Sequence, residues 1–413
     1  MAGPLPIADP APSDGLLPEQ SSLDADNRSF HAYVHIPFCR VRCGYCDFNT
    51  YTATELDGAP QSDYAQTLIK EILLSARVLR ESGLPARPLK SVFFGGGTPT
   101  QLPAEDLVLI LETLKDAFGL ISNAEVTTEA NPDNVDFDYL SKLRHGGFNR
   151  VSFGMQSAVP SVLKTLERTH NPENLPLVID AAKRAGLATS VDLIYGAPGE
   201  SLEEWRTSLQ AAIDLQPEHI SAYSLIVEDG TKLARQIRSG LLEQPDEDLQ
   251  ADKYELADEL LSQARYDWYE VSNWAKSSPS ADNRSAHNIS YWQSQDWWGY
   301  GPGAHSHVGG VRWWNVKHPS AYSGKLSEGS SPAAGRETLD DRTRLEERIL
   351  LEIRVASGLS VELAKAVNPE ATNMIAGFIA DELIEPSSAM CGTLRLTLKG
   401  RLLADSLVRQ LLA

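Results

Sequence analysis

Six short β-rich runs alternate with longer helix-like stretches between residues 32 and 227, and this rhythm narrows the fold more than any other feature. The runs are AYVHI (32–36), SVFF (91–94), AEVTTEA (124–130), RVSFGMQ (150–156), ATSVDLIY (188–195) and HISAYSLIV (219–227). Between them stand helix patterns such as DYAQTLIKEILLSARVL and AEDLVLILETLKDAF. Strands joined by helices of that length pair in parallel, because a parallel pair needs a long crossover. Six units fall short of the eight that close a barrel. The expected fold class is therefore α/β, a partial (βα)6 TIM-like barrel. WYEVSN (268–273) offers one further strand.

In such folds, sites collect beyond the carboxyl ends of the strands. CRVRCGYC (39–46) follows the first run and GGGTPT (95–100) the second. Glu129 stands at the end of the third run, Gln156 ends the fourth, and Asp192 lies in the fifth. One mouth thus gathers the residues suited to chemistry.

The rest of the chain divides by composition. Residues 1–28 are rich in Pro, Ala, Ser and Asp and lack periodicity, so a disordered N-terminal extension is expected there. The barrel is assigned to 29–275. Residues 276–335 form a Trp/His/Gly-rich extension that ends in a Gly/Ser-rich linker, SGKLSEGSSPAAG (323–335). Seven of the eight tryptophans fall in this stretch and its approach, an arrangement that more often serves packing than a ligand. Residues 336–413 read as three helices, a hairpin and a last helix, a small winged-helix-like α+β domain. Such domains often bind DNA through a basic helix. Here 12 acidic residues face 9 basic ones from Glu337 to Ala413, and the third helix has neither Arg nor Lys. A packing or lid role is expected instead.

Charge and hydropathy exclude further classes. The 413-residue chain carries −19, which argues against nucleic acid or an anionic membrane as main partner. No apolar run reaches the roughly 18 residues of a membrane helix. The start has no basic, apolar leader pattern. A cytoplasmic, reducing location is expected, where crowded thiols are more often ligands or redox groups than structural disulfides.

Cys39, Cys43 and Cys46 hold three of the four cysteines in a C-x3-C-x2-C loop. A structural zinc site wants four ligands. No second C-x-x-C supplies the fourth, and Cys391 is remote in the expected wing, where it reads as a small buried hydrophobe; His35 or Asp47 leaves zinc open. An iron–sulfur cluster on three thiolates leaves one iron free for a molecule other than protein.

At this point the chain resembles the radical S-adenosylmethionine (SAM) superfamily. The resemblance implies a [4Fe–4S] cluster on Cys39, Cys43 and Cys46, with SAM chelating the fourth iron and cleaved on reduction to a 5′-deoxyadenosyl radical. Tyr45 matches the aromatic position that packs on the cofactor. GGGTPT, by itself only a tight turn or an anion cradle, matches the glycine motif that meets the SAM amino group. YVHIPFCRVRCGYCDFNTY, VFFGGGTPT, VSFGMQS, DLIYGAPGE, YEVSNWA, HNISYW and GYGPGAHS together resemble the oxygen-independent coproporphyrinogen oxidase family, and within it the heme-chaperone branch.

That resemblance implies SAM contacts at Tyr33, Gly96, Gly97, Thr98, Glu129, Gln156, Arg168 and Asp192. Glu129 would take the ribose hydroxyls. Plain alternatives stand beside these: Arg168 as a surface cation, Asp192 as a satisfied buried acid. Phe48 occupies the position of a further cysteine in the oxidases. With the short N-terminal stretch, this speaks against coproporphyrinogen decarboxylation and for a heme carrier. The branch implies heme as a ligand, a heme-accepting partner protein, an electron donor to the cluster and room for a homodimer. HNISYW (287–292) matches its heme motif, which makes His287 the candidate iron ligand, with His305 and His307 as alternatives. A histidine beside Asn and Tyr-Trp can equally be a core residue that caps a turn.

Overall fold

The computed structural model describes residues 8–52 and 60–413. The β–α rhythm becomes β1 (Phe30–Ile36), α1 (Tyr64–Glu81), β2 (Leu89–Gly96), α2 (Ala104–Phe118), β3 (Leu120–Ala130), α3 (Phe137–His145), β4 (Arg150–Gln156), α4 (Pro160–Thr165), α5 (Asn174–Ala185), β5 (Ala188–Tyr195), α6 (Leu202–Asp214) and β6 (His219–Ser224). Local sequence starts several of these helices. Asp136 accepts the Tyr139 amide ahead of α3, and Ser201 with Glu204 closes a reciprocal cap on α6. Such caps are worth about 1 kcal/mol each.

After β6 come α7 (Lys232–Arg238), α8 (Glu247–Gln263), β7 (Tyr266–Glu270) and β8 (Asn273–Lys276). The single strand expected around WYEVSN is thus a tight antiparallel pair. The chain then forms α9 (Ala286–Trp292), β9 (Asp296–Tyr300), β10 (His305–Val308), β11 (Val311–Asn315), α10 (Pro319–Ser327) and β12 (Ala333–Thr338). Twelve of the described strands make one sheet in the order β12-β11-β10-β9-β1-β2-β3-β4-β5-β6-β8-β7. β1 through β6 run parallel, and β9 pairs in parallel with β1 on its other side.

Two expectations are corrected here. The division placed at residue 276 runs through one sheet and one apolar core, because β9 completes the hydrogen bonding of β1 and the core continues from barrel residues into Trp298, Trp313 and Tyr322. The stretch read as a linker, 323–335, holds the end of α10 and the start of β12, anchored by the buried Tyr322 and Leu326. Glu71 on α1 ties this region down. It accepts hydrogen bonds from the Gly301 amide (2.8 Å), Asn315 Nδ2 (2.8 Å) and the Tyr322 hydroxyl. Burial pushes its carboxyl up to about 7, against the pull of those donors.

Disorder is also not what residues 8–28 show. Asp9 exchanges both backbone hydrogen bonds with Arg336 at the edge strand β12, and the Ser331 amide donates to the Ser13 carbonyl. Arg28 pairs with Asp296 at 3.0 Å, while Leu17 and Ala25 enter the core. The strap covers a sheet edge that would otherwise leave backbone groups unpaired. Its order comes from that edge, which is why composition alone did not reveal it. Residues 1–7 lie outside the described part.

The last part packs α11 (Asp341–Glu352), α12 (Val361–Val367), α13 (Ala371–Ala380), α14 (Pro386–Met390), α15 (Leu398–Leu402) and α16 (Ala404–Leu412) around an apolar core of its own. The expected hairpin is an Ile384–Leu396 bridge enclosing α14, and Thr393–Leu394 on its second arm pairs antiparallel with Leu359–Ser360 in a separate two-stranded sheet. Cys391 follows that helix and is exposed, not buried as expected. Arg401 fastens these helices to the barrel. Its guanidinium makes two 2.8 Å hydrogen bonds to the Asp258 carboxylate on α8 and lies 4.3 Å from the Trp268 ring centre.

Arg401→Ala should therefore cost roughly 2 kcal/mol, between the small value of an exposed pair and the larger one of a fully buried pair. Limited proteolysis should then release residues beyond Asp340 sooner than in the parent. Equal cleavage rates and an equal melting midpoint would show that the pair holds nothing.

Candidate functional site: a cavity at the mouth of the barrel

Parallel register brings the sequence-distant residues together. Ile36 lies beside Gly96, Glu129 beside Ser152, and Gly154 beside Asp192. The strand ends surround a cavity of about 740 Å3, lined by Tyr33, Cys39, Cys43, Tyr45, Cys46, Gly96, Gly97, Thr98, Glu129, Gln156, Arg168, Asp192 and His287. Every residue singled out for cluster or SAM contact thus faces one space. His305 and His307 do not line it. His305 is exposed on β10 with its ring 5.7 Å from that of Trp314. His307 is mostly buried and bonded to the Gln295 carbonyl. No tryptophan lines the cavity; Trp298 and Trp313 pack edge-to-face within the extension, 4.7 Å apart.

The cysteine loop is held at its base. The Cys39 amide donates to Tyr51 O, and the Tyr51 amide to Pro37 O. The Gly97 and Thr98 amides donate to Ile36 O and Phe38 O, both at 2.8 Å. A Cβ on Gly97 would stand 2.7 Å from Phe38 O, so only glycine permits this approach. Asn49 Nδ2 donates to Pro302 O and Lys317 O, which joins the loop to the extension. Gly44 bonds Leu166 O and Leu233 N across the mouth.

The three thiols form no disulfide and are half-buried. Among the described residues, no three His, Cys, Asp or Glu side chains converge on the point a single metal ion would need. Burial, then the neighbouring Cys46, pushes the Cys39 thiol up to about 12. Burial also raises Cys46. A metal group entering here has to displace protons. Arg168 supplies compensating charge: Nη1 is 3.7 Å from Cys43 Sγ, while Nη2 donates to Gly154 O at 3.0 Å. It is no surface cation.

Glu129 and Asp192 are enclosed at the strand ends, and Asp192 lies beside the Gly154 that Arg168 bonds. Burial, then Asp192, raises Glu129 to about 8, against the Gly96 amide that donates to it at 3.2 Å. Asp192 is raised by burial and accepts from Ser152 Oγ at 2.8 Å. Gln156 ends β4 with φ 63°, a left-handed conformation that costs a non-glycine residue on the order of 1 kcal/mol. Thr127 Oγ1 is buried in the cavity lining without a hydrogen-bond partner. Two acids, an unpartnered hydroxyl and an open glycine backbone fit a ligand rich in hydroxyl and amino groups, as SAM is.

Several lining residues escaped the sequence reading: Thr127, Ser152, Ser190, Ser221 and Tyr223. A signal for them existed. Thr127 with Glu129, Ser152 with Gly154, Ser190 with Asp192, and Ser221 with Tyr223 are spaced by two, the period of one strand face. In strands buried on both sides, polar residues at that spacing mark the face that turns to a ligand.

His287 sits on the inner wall in α9, and its neighbours fix it. The Glu125 carboxylate accepts from the Ala286 and His287 amides at 3.0 and 3.2 Å and is paired with Arg150 at 3.2 Å. The imidazole stacks on Phe93, with 5.1 Å between ring centres. Phe48 is on the rim, 62% exposed.

Gly97→Ala should push the cysteine loop off its support. Mapped by mass spectrometry, alkylation of Cys39, Cys43 and Cys46 should become faster than in the parent, with exposed Cys391 as internal standard. Unchanged ratios would mean that the Gly97 contact does not position the loop.

Comparison with known proteins agrees with this geometry. Residues 33–212 match the Radical SAM superfamily. The chain is 43% identical over 384 residues to the heme chaperone HemW of Mycobacterium tuberculosis, covering 93% of this chain and 95% of that protein. It is 33% identical over 331 residues to the heme chaperone HemW of Bacillus subtilis, covering 80% and 84%. The structure overlays that of coproporphyrinogen III oxidase (HemN) from Escherichia coli with a TM-score of 0.79, covering 97% of this chain and 94% of that one. Sequence identity there is 22%, so this likeness is one of fold. Similarity across nearly the whole length, together with the cavity where its motifs converge, means that the chain belongs to the HemW heme chaperone family of the radical SAM superfamily.

Proposed function

We propose that the protein binds heme and hands it to an acceptor protein, and that it carries a [4Fe–4S] cluster on Cys39, Cys43 and Cys46 completed by SAM. The observation that carries this reading is the 43% identity, over 93% of the chain, to a protein named a heme chaperone. Phe48 adds to it: an exposed aromatic ring occupies the rim where the oxidases place a further cysteine. The strap at 8–28 is ordered, so it no longer counts against the oxidase reading. Only Phe48 does.

In this reading the cluster and SAM together supply one-electron chemistry at the mouth. The chain's own groups do the rest. The three thiolates fix the cluster, and Arg168 offsets their charge. Tyr45 packs beside them on the loop. Gly96, Gly97 and Thr98 offer backbone and hydroxyl groups to the SAM amino end. Glu129 accepts from ribose hydroxyls, with Tyr33, Gln156 and Asp192 around the nucleoside. His287 supplies an iron ligand to heme through Nε2 once the Tyr291 hydroxyl leaves that atom. Phe93 gives the macrocycle apolar surface. A cytoplasmic location, an electron donor to the cluster and a homodimer belong to the same proposal; no described helix is long and apolar enough to cross a membrane.

Anaerobic hemin titration of the reconstituted protein tests it, with SAM consumption followed in the same samples. Saturation near one heme per chain with little 5′-deoxyadenosine is expected. No saturable binding, or protoporphyrinogen accumulating from coproporphyrinogen III with SAM and a reductant, would overturn the carrier reading. Cys39→Ala, Cys43→Ala and Cys46→Ala should each lose most of the cluster absorbance and iron. A full cluster in all three would refute the ligand assignment.

A further inference from the structure

A single hydrogen-bonded chain leads from His287 through the barrel interior to its far side. His287 Nε2 meets Tyr291 OH at 2.8 Å, and Nδ1 meets Ser91 Oγ at 2.8 Å. Ser91 Oγ meets His31 Nδ1 at 2.6 Å, and His31 Nε2 meets Ser29 Oγ at 2.8 Å. Ser29 Oγ ends on Gln295 Oε1 at 2.9 Å. His31, Ser91 and His287 are buried, and His287 and Tyr291 line the cavity.

The last member orients all the others. Gln295 Nε2 donates to the Gln293 carbonyl, and Gln295 Oε1 accepts the Ser29 amide at 2.7 Å. The amide is therefore not free to flip. Its oxygen can only accept, so the Ser29 hydroxyl proton points to it. His31 must then carry its proton on Nε2 and accept at Nδ1. It is neutral: burial, then Lys90, holds it down to about 3. The one proton of Ser91 goes to His31, so His287 Nδ1 must donate to Ser91. The His287 ring is buried and bonded only to the Ser91 and Tyr291 hydroxyls, with no carboxylate on either nitrogen, so it has no partner for a charged form. Its Nε2 is left as a bare lone pair, covered only by the Tyr291 hydroxyl.

We infer that Ser91, His31, Ser29 and Gln295 are positioning residues that hold His287 as the Nδ1–H tautomer and present its Nε2 lone pair to the cavity as the ligand for heme iron. The heme part rests on the proposed function; the tautomer part stands on the chain alone. A metal-bound histidine commonly donates its other ring N–H to a fixed acceptor, and losing that acceptor costs about 10–100-fold in metal affinity. Here the acceptor is a serine hydroxyl, itself oriented by a second histidine. It gives His287 a neutral partner rather than an anionic one, which suits a ligand that has to release its heme again. The nearest carboxylate bonded to α9, Glu125, accepts backbone amides of Ala286 and His287, not the imidazole.

The test uses the full-length reconstituted protein with 15N-labelled histidine, and hemin as probe. Long-range 1H–15N NMR of the heme-free protein should show His287 neutral with its proton on Nδ1. Ser91→Ala should turn this into a mixture of tautomers and weaken hemin binding about 10–100-fold with a shifted Soret band. Ser91→Thr, which keeps the hydroxyl, should restore both. A proton on Nε2, or a charged ring, in the parent would overturn the inference whatever hemin does. The expected tautomer with unchanged hemin affinity in Ser91→Ala, while His287→Ala loses binding, would overturn the positioning role and leave the heme reading intact. Unchanged binding in His287→Ala itself would remove the ligand assignment, and the inference with it.

Discussion

The parallel pairing of β1 on both sides, with β2 and with β9, is the constraint on which the rest of the structure depends. It makes β1 a central strand buried on both faces, so the cysteine loop that follows it starts from a rigid end. It also welds the tryptophan-rich extension to the barrel as further strands of one sheet. Through β9 the extension can reach back: Pro302 O and Lys317 O hold Asn49 in the cysteine loop, and Glu71 holds Gly301 and Asn315 from the helix behind. A loop carrying three half-buried thiols would otherwise be an unlikely part of a protein to hold still. Here both its base and its far side are tied to regular structure.

The same geometry explains the electrostatics of the mouth. Glu129 and Asp192 have their charged forms disfavoured by burial, and Arg168 reaches between Cys43 and Gly154, which lies beside Asp192. The arrangement keeps ionisable groups in a poorly solvated space, which is expensive for stability and common where a ligand completes the charge balance. The left-handed Gln156 at the end of β4 is another local cost concentrated at the same spot. α9 packs against β2 and β3 at the cavity. Its amino end is fixed by Glu125 and Arg150, and its histidine is oriented by hydroxyls. The region that distinguishes a heme-binding reading from a SAM-only reading is thus built into the same enclosed space.

Much of this was legible in the sequence, and some was legible but overlooked. The six β–α units, the C-x3-C-x2-C spacing and the glycine run are local patterns, and local patterns survive translation into structure. The polar residues spaced by two on β3–β6 also spelled out the cavity wall. The strap at 8–28 and the segment at 323–335 were misread because both have loop composition. Their order comes from hydrogen bonds to edge strands and from a few buried anchors such as Leu17, Tyr322 and Leu326. Cys391 was misread for the opposite reason: a residue type that is usually buried stands exposed after a short helix.

The sequence by itself determined the fold class, the family resemblance and the three-cysteine motif proposed to hold the cluster, because periodicity and close spacing are properties of the chain and need no partner. Tertiary structure alone decided which histidine could belong to the site. His287, His305 and His307 look alike in the sequence, yet β10 carries the last two away from the cavity while α9 carries His287 into it. It also decided the state of that imidazole. Its tautomer follows from Ser91, His31, Ser29 and Gln295, residues scattered over 266 positions, and a hydrogen bond between such distant groups exists only once the sheet has brought them within 3 Å of one another.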